Sequence, residues 1–291
     1  GEIGLRKIFY RVSSIVPDNI YLKLYFKIRT GKTLNLREPK TFSEKIQWLK
    51  LYWRNEICTI CADKYKVREY VSDKIGDEIL TRLYGVYDSV EEIDISSLPD
   101  QFVLKVNHGS GQNLICENKN NVYWGRELKK LSTYLETNHY YPGREWAYKN
   151  IEPKIICEEY LSENGHLPKD YKFYCFKGTP RFIHVDFDRF GDHTRNFYDT
   201  SWNQVDFELW KKKSNQKLKA PKNLDLMLKY ASVLSKDIPF VRVDLYEVKN
   251  KVYFGEMTFY PGSGISRFNP EKYDLIFGEY IELPNKGGGR D

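Results

Sequence analysis

The segment Phe240 to Tyr246 constrains this chain more than any other, because it reads as a buried strand and yet carries Arg242 and Asp244. Two residues apart on a strand, these side chains share a face. The break at Val248 to Asn250 leads into a second β-rich run that includes Tyr253-Phe254-Gly255-Glu256-Met257-Thr258, so the two segments read as adjacent strands of a hairpin. That pairing predicts Asp244 and Glu256 side by side with a guanidinium next to them. Carboxylates in a sheet interior repel unless a cation stands between them, and hard divalent cations favour oxygen ligands of this kind. A structural arginine–carboxylate network is the competing, less favoured reading of the pattern taken alone.

A second cluster lies upstream. Phe102 to Val106 is a strand by composition and runs into Asn107-His108-Gly109-Ser110-Gly111-Gln112-Asn113. A Gly- and Ser-rich loop after a strand can turn successive backbone N–H groups toward one point, as phosphate cradles do. Lys105, just before the loop, adds a point charge for the same anion. The lysine precedes the glycines, so the Walker spacing is absent, and there is no GxGxxG fingerprint. An ordinary hairpin turn is the competing reading.

Lys154 to Leu161 reads as a strand with a polar edge, and Asp170-Tyr171-Lys172-Phe173-Tyr174-Cys175-Phe176-Lys177-Gly178 alternates polar and apolar residues. In this order, the phosphate loop, the strand-to-hinge segment and the Arg/Asp/Glu hairpin resemble the ATP-grasp superfamily of ligases. The resemblance is closer to its subgroup related to teichuronopeptide biosynthesis (TupA-like). It extends to Phe42-Ser43-Glu44-Lys45-Ile46-Gln47-Trp48-Leu49-Lys50, Ala62-Asp63-Lys64-Tyr65 and Phe259-Tyr260-Pro261-Gly262-Ser263-Gly264, and covers about residues 40 to 283.

The resemblance implies an α+β chain with the ATP-grasp fold, in which two α/β lobes grip ATP, and a reduced helical N-terminal region. It implies ATP and Mg²⁺ as cofactors. Lys64 and Lys105 match the phosphate-binding lysines, and His108, Gly109, Ser110 and Gly111 match the flexible loop. Glu158, Glu159, Tyr160 and Leu161 match the adenine hinge, and Asp170 the ribose-binding acid. Arg242 matches the arginine that steadies the transferring phosphate, while Asp244 and Glu256 match the magnesium ligands. Where the commonest pattern has Asn, this chain has Thr258, a poorer metal ligand than an amide carbonyl.

Residues 1–60 are expected to form the helical region, with a helix start capped at Thr41 or Ser43. Residues 61–155 are expected to form the small lobe, 156–284 the large lobe and 285–291 a flexible tail. Pro221 to Lys236 reads as a helix, with Leu224, Met227, Leu228 and Ala231 at helical spacing. The net charge of +6 admits nucleic acid, a membrane surface or an anionic substrate; no nucleic-acid-binding motif accompanies it. Neither a signal peptide nor an apolar run of spanning length is present, which points to the cytoplasm. The basic, amphipathic stretches Leu5 to Tyr10 and Ile20 to Ile28 suit packing against the lobes or contact with an inner membrane surface. Five cysteines without paired spacing read as buried thiols in a reducing compartment.

The function implied by the resemblance is carboxylate–amine ligation through an acylphosphate, on a glycan or small molecule bearing a carboxylate, with an amine acceptor, in surface polysaccharide synthesis. A glycosyltransferase is the alternative, since Asp186-Phe187-Asp188 has the Asp-x-Asp spacing. Asp188 to Arg195 follows a strand and is dense in anion- and hydroxyl-binding groups. Arg189 or Arg195 is the candidate to hold the substrate carboxylate in a two-pronged contact, or else pairs with Asp188 or Asp192.

Overall fold

The computed structural model describes residues 13–187 and 191–286. Four helices lead the described chain: α1 (Asp18–Thr30), α2 (Phe42–Tyr52), α3 (Glu56–Ala62) and α4 (Val67–Lys74). The start of α2 is fixed by a capping box. Thr41 Oγ1 accepts from Glu44 N at 3.2 Å, and Glu44 Oε2 accepts from Thr41 N at 3.1 Å, which satisfies two donors the first turn would otherwise orphan. Ser43 does not cap the helix; its N–H and hydroxyl donate to the buried Asp274 at 2.9 Å and 2.9–3.0 Å. That contact ties α2 to the last helix, α8 (Lys272–Glu279). There Gly278 lets the helix meet the chain at Lys40, for an added Cβ would sit 2.1 Å from the Lys40 carbonyl.

The first sheet is antiparallel, in the order β1 (Leu83–Tyr87), β4 (Ile155–Glu159), β2 (Phe102–Val106), β3 (Asn113–Cys116). Phe102, Leu104 and Val106 are buried on one face of β2, and Val103 and Lys105 occupy the other. The buried set joins Cys116, Ile155 and Leu131 of helix α5 (Trp124–Leu135) in a core of its own. A short helix, α6 (Tyr140–Gly143), follows α5 before the chain returns to the sheet as β4.

The second sheet has six antiparallel strands: β11 (Lys251–Thr258), β10 (Val241–Val248), β5 (Asp170–Phe176), β6 (Thr179–Phe187), β7 (Thr194–Tyr198) and β8 (Gln204–Val205). A two-residue strand, β9 (Glu208–Leu209), pairs with β12 (Phe268–Asn269). Helix α7 (Leu224–Leu234) buries Met227, Ala231 and Leu234 against the large sheet's core. The expected helix at Pro221 to Lys236 is therefore present, slightly shorter. The N-terminal helices share that core through Leu22, Phe26 and Phe42, and so do Val67 and Val71 of α4. Helices α1 to α4 thus extend the large lobe's hydrophobic interior.

Candidate active site

The hairpin expected from the sequence forms between β10 and β11, turned by Lys249 and Asn250, both at positive φ, as a two-residue type I′ loop requires. Its register sets Asp244 opposite Glu256 and Arg242 opposite Thr258. A bulge follows Asp244 and leaves Gly255 unpaired. A Cβ there would lie 2.9 Å from the Asp244 carbonyl and 2.8 Å from the Tyr246 ring.

Arg242 grips Asp244 with two parallel bonds, Nε to Oδ1 and Nη2 to Oδ2, both 2.7 Å. Its Nη2 also reaches Glu256 Oε1 and Thr258 Oγ1 at 3.2 Å, and the Thr258 hydroxyl donates to Glu256 Oε1 at 3.2 Å. On its other side Asp244 faces Lys172 of β5, its register partner, whose Nζ donates to Oδ2 at 2.6 Å. Lys172 also donates to Asp170, two residues back on the same face. Beyond Lys172 the same row continues to His184 on β6. The sheet face toward the cleft is therefore a lattice of alternating charge.

Burial is the largest influence on Asp244 and raises its carboxyl to about 6, against the pull of Arg242 and Lys172. Burial would also raise Glu256, but Lys64, Arg242, Lys172 and Lys105 outweigh it and hold the carboxyl at about 2. Two of those cations, Lys64 and Lys105, come from outside the large sheet.

Lys64 lies between α3 and α4 and donates to the Gly109 carbonyl. Burial lowers its pKa, and Glu256 pulls the other way. The motif residues around it are joined by the buried Asn107. Asn107 Nδ2 donates to Asp63 Oδ1 at 2.9 Å, and the Asn107 carbonyl accepts from Lys64 N at 3.0 Å. Lys105 pairs with Glu158, which Arg68 also binds at 3.1 Å. Ser110 and Gly111 line a cleft of about 860 Å³ together with Lys172, Arg242 and Glu256.

His108 is placed differently from its loop neighbours: both ring nitrogens are engaged inside the small lobe, Nδ1 with Asn107 Oδ1 at 3.2 Å and Nε2 with the Thr137 carbonyl at 2.9 Å. The hinge residues leave β4 at its end. Glu159 accepts from Arg82 N at 3.3 Å, Tyr160 donates to Glu117 at 3.1 Å, and Leu161 follows half-buried. Glu159 and Tyr160 border a separate pocket with Tyr84.

At the far side of the cleft, Asp186 is the centre of a second cluster. Arg195 Nε donates to its Oδ1 at 2.7 Å, His193 Nε2 stands 3.0 Å from the same oxygen, and His184 Nε2 is 3.1 Å from Oδ2. Arg195 Nη1 donates to the Leu209 carbonyl at 3.2 Å. Among the described residues its carboxylate partner is Asp186, which the sequence reading did not weigh; Asp188 and Arg189 lie outside the described residues. Buried among these groups, His184 stays well below its ordinary pKa, and Asp186, although burial opposes it, is held well below the usual carboxylate range. An Asp186 so thoroughly paired leaves the Asp-x-Asp reading without its first ligand.

Sequence reasoning passed over Lys172, Arg68 and the Asp186 cluster. Lys172 had a signal: it stands two residues after Asp170 in an alternating strand, hence on the same face. Arg68 had none. Among the described residues no group of three or more His, Cys, Asp or Glu side chains is arranged to cage a metal. Magnesium is ordinarily held by one or two carboxylates and the substrate's own phosphates. Glu256 fits that role, with Thr258 beside it, whereas both oxygens of Asp244 are already bonded to Arg242.

The family model for TupA-like ATP-grasp proteins matches residues 44–282. No curated protein matches. Among solved structures, the chain is similar to D-alanine–D-alanine ligase from Bacillus anthracis complexed with ATP, with 14% identity, TM-score 0.44, and coverage of 76% of this chain and 62% of that one. For D-alanine–D-alanine ligase from Helicobacter pylori the values are 18%, 0.46, 83% and 69%. For phosphoribosylamine–glycine ligase from Thermotoga maritima they are 13%, 0.44, 79% and 57%. The chain thus spans less than two thirds of the length of the first of these ligases.

Proposed function

The chain belongs to the TupA-like ATP-grasp family, and from that premise we propose that it is an ATP- and magnesium-dependent carboxylate–amine ligase. The observation that supports this best is the convergence of four cations on Glu256: Lys172 and Arg242 from the large sheet, Lys105 from the small sheet and Lys64 from the turn between α3 and α4. Such a convergence suits a polyphosphate gripped between lobes, where catalysis is positioning and charge neutralisation with no protein nucleophile. When bound, Mg–ATP would supply the phosphoryl group that activates a carboxylate for attack by an amine.

In this reading Ser110 and Gly111 cover the phosphates, Lys64 and Lys105 hold them, and Glu256 with Thr258 faces the metal. Arg242 stabilises charge that develops in transfer, and Asp244 orients Arg242 through the paired bonds. The substrates are a uronic acid or amino acid and an amine, joined in surface-polysaccharide synthesis. Trp210 supports a sugar substrate: it lines the cleft while 43% exposed, and indole rings stack on apolar sugar faces. Arg195, fixed by Asp186, shapes that same wall. Five free, buried cysteines agree with a reducing cytoplasm.

Thermal denaturation with ligands tests the proposal. Mg–ATP at about 100 times its dissociation constant should stabilise the fold by about 2.7 kcal/mol, and UDP-sugars should not. Hydroxylamine should then trap a hydroxamate from ATP, magnesium and a uronic acid. A shift with a UDP-sugar and none with ATP would overturn the reading.

A further inference from the structure

Helix α1 is apolar on two opposite faces. Leu22 and Phe26 are buried in the large core, while Ile20, Leu24 and Ile28, at four-residue spacing, are 57%, 61% and 71% exposed. One turn earlier Val16 extends the line, and Ile15 beside it is 81% exposed. A helix of this kind is normally covered on both sides, and an uninterrupted apolar ridge is uncommon on a lone soluble protein.

We infer that the outward face of α1 docks on an anionic lipid bilayer. The charge around the ridge selects that occupant. Lys23 and Lys27 are exposed along its flank, whereas the helix's one acid, Asp18, is consumed by Arg54 at 2.5 Å, Tyr140 at 2.6 Å and Arg144 at 3.1 Å. The outward face is therefore positive as well as apolar, the combination that binds the boundary between acidic headgroups and acyl chains. Two copies meeting ridge to ridge would bring lysine rows together, which opposes self-association. The sequence preceding Ser13 adds Arg6, Lys7 and Arg11 among Leu5, Ile8 and Phe9, with Glu2 its one acid. No helix among the described residues is long and apolar enough to cross a membrane, so the contact is interfacial.

The test is independent of the cleft's chemistry. The full chain is sedimented with vesicles of phosphatidylcholine alone or mixed with phosphatidylglycerol, across a salt series, alongside sedimentation velocity without lipid. The wild type should partition onto phosphatidylglycerol vesicles and leave them as salt rises. Leu24→Glu/Ile28→Glu should lose at least about tenfold in partition, and Lys23→Ala/Lys27→Ala about fivefold per lysine, with unaltered melting temperatures. The lysine variant decides alone if the glutamate variant does not fold. Absence of partition onto phosphatidylglycerol vesicles, equal partition by the variants, or a lipid-free dimer that the glutamate variant dissolves would each overturn the inference.

Discussion

Replacing Lys172 by Met removes the cation between Asp170 and Asp244 while nearly preserving side-chain volume. The lysine, Asp244 and Asp170 side chains are 5%, 1% and 8% exposed, so water cannot substitute for the lost charge. Breaking a buried pair from one side costs about 3–5 kcal/mol, and here two carboxylates are left facing each other with Arg242 as the remaining cation on Asp244. For a chain of this size that corresponds to a melting temperature lower by roughly 6–10 °C. The sign of the pH dependence follows from the same geometry. Burial already raises Asp244 to about 6, and without Lys172 it rises further, so the deficit is complete at neutral pH and shrinks as pH falls and this carboxyl takes up a proton. Urea denaturation of wild type and Lys172→Met near pH 7 and pH 5 measures both effects. Asp170→Asn in the same chain should restore part of the loss. A cost below about 1 kcal/mol near pH 7, or an equal cost at both pH values, would refute the charge-lattice account.

Glu256→Gln should reduce ATP-dependent phosphate release by about a hundredfold or more while lowering stability less than Lys172→Met does, because its side chain is 36% open to the cleft. The wild-type stability from Glu256 is present above its ordinary value of 4.5 and lost as pH falls through about 2, so acid unfolding of Glu256→Gln should be flatter across that interval. Gly255→Ala should push the bulge away from the Asp244 carbonyl and depress turnover more than melting temperature. Lys105→Ala should weaken Mg–ATP binding by calorimetry by about tenfold or more, since Glu158 keeps Arg68; Arg242→Lys should instead lower turnover with the smaller change in affinity.

The elements that were legible in the sequence are those whose signal is local. The hairpin from Val241 to Thr258 could be read because strand alternation and the turn fix its register within eighteen residues, and Asp244 meets Glu256 across it. A helix start capped at Thr41 or Ser43 could be read in the same way, and the structure gives the cap to Thr41. Groups brought together by tertiary packing were hidden. Arg68 reaches Glu158 across ninety positions, and nothing near either residue marks the pairing. Asp186 read as one half of a metal motif because spacing shows neighbours in sequence, and its real partners, His184, His193 and Arg195, were each visible but unassociated. His108 sits in a loop whose pattern suggests ligand contact, yet the burial that fixes its ring is a property of α5 and the Thr137 carbonyl.

The alternating charges of the cleft also set the conditions on which an anion can enter. Lys64, Arg68, Lys105, Lys172 and Arg242 stand against Asp170, Glu158, Asp244 and Glu256, and several are already locked in pairs. Much of the positive charge in such a site is already engaged. A polyphosphate arriving bare would have to open existing ion pairs or sit beside carboxylates that repel it, whereas one arriving with its own divalent cations meets Glu256 as a welcome neighbour. Selection for the metal-laden form of a nucleotide over free phosphate-rich metabolites would then be a property of the resting protein, present before either lobe moves.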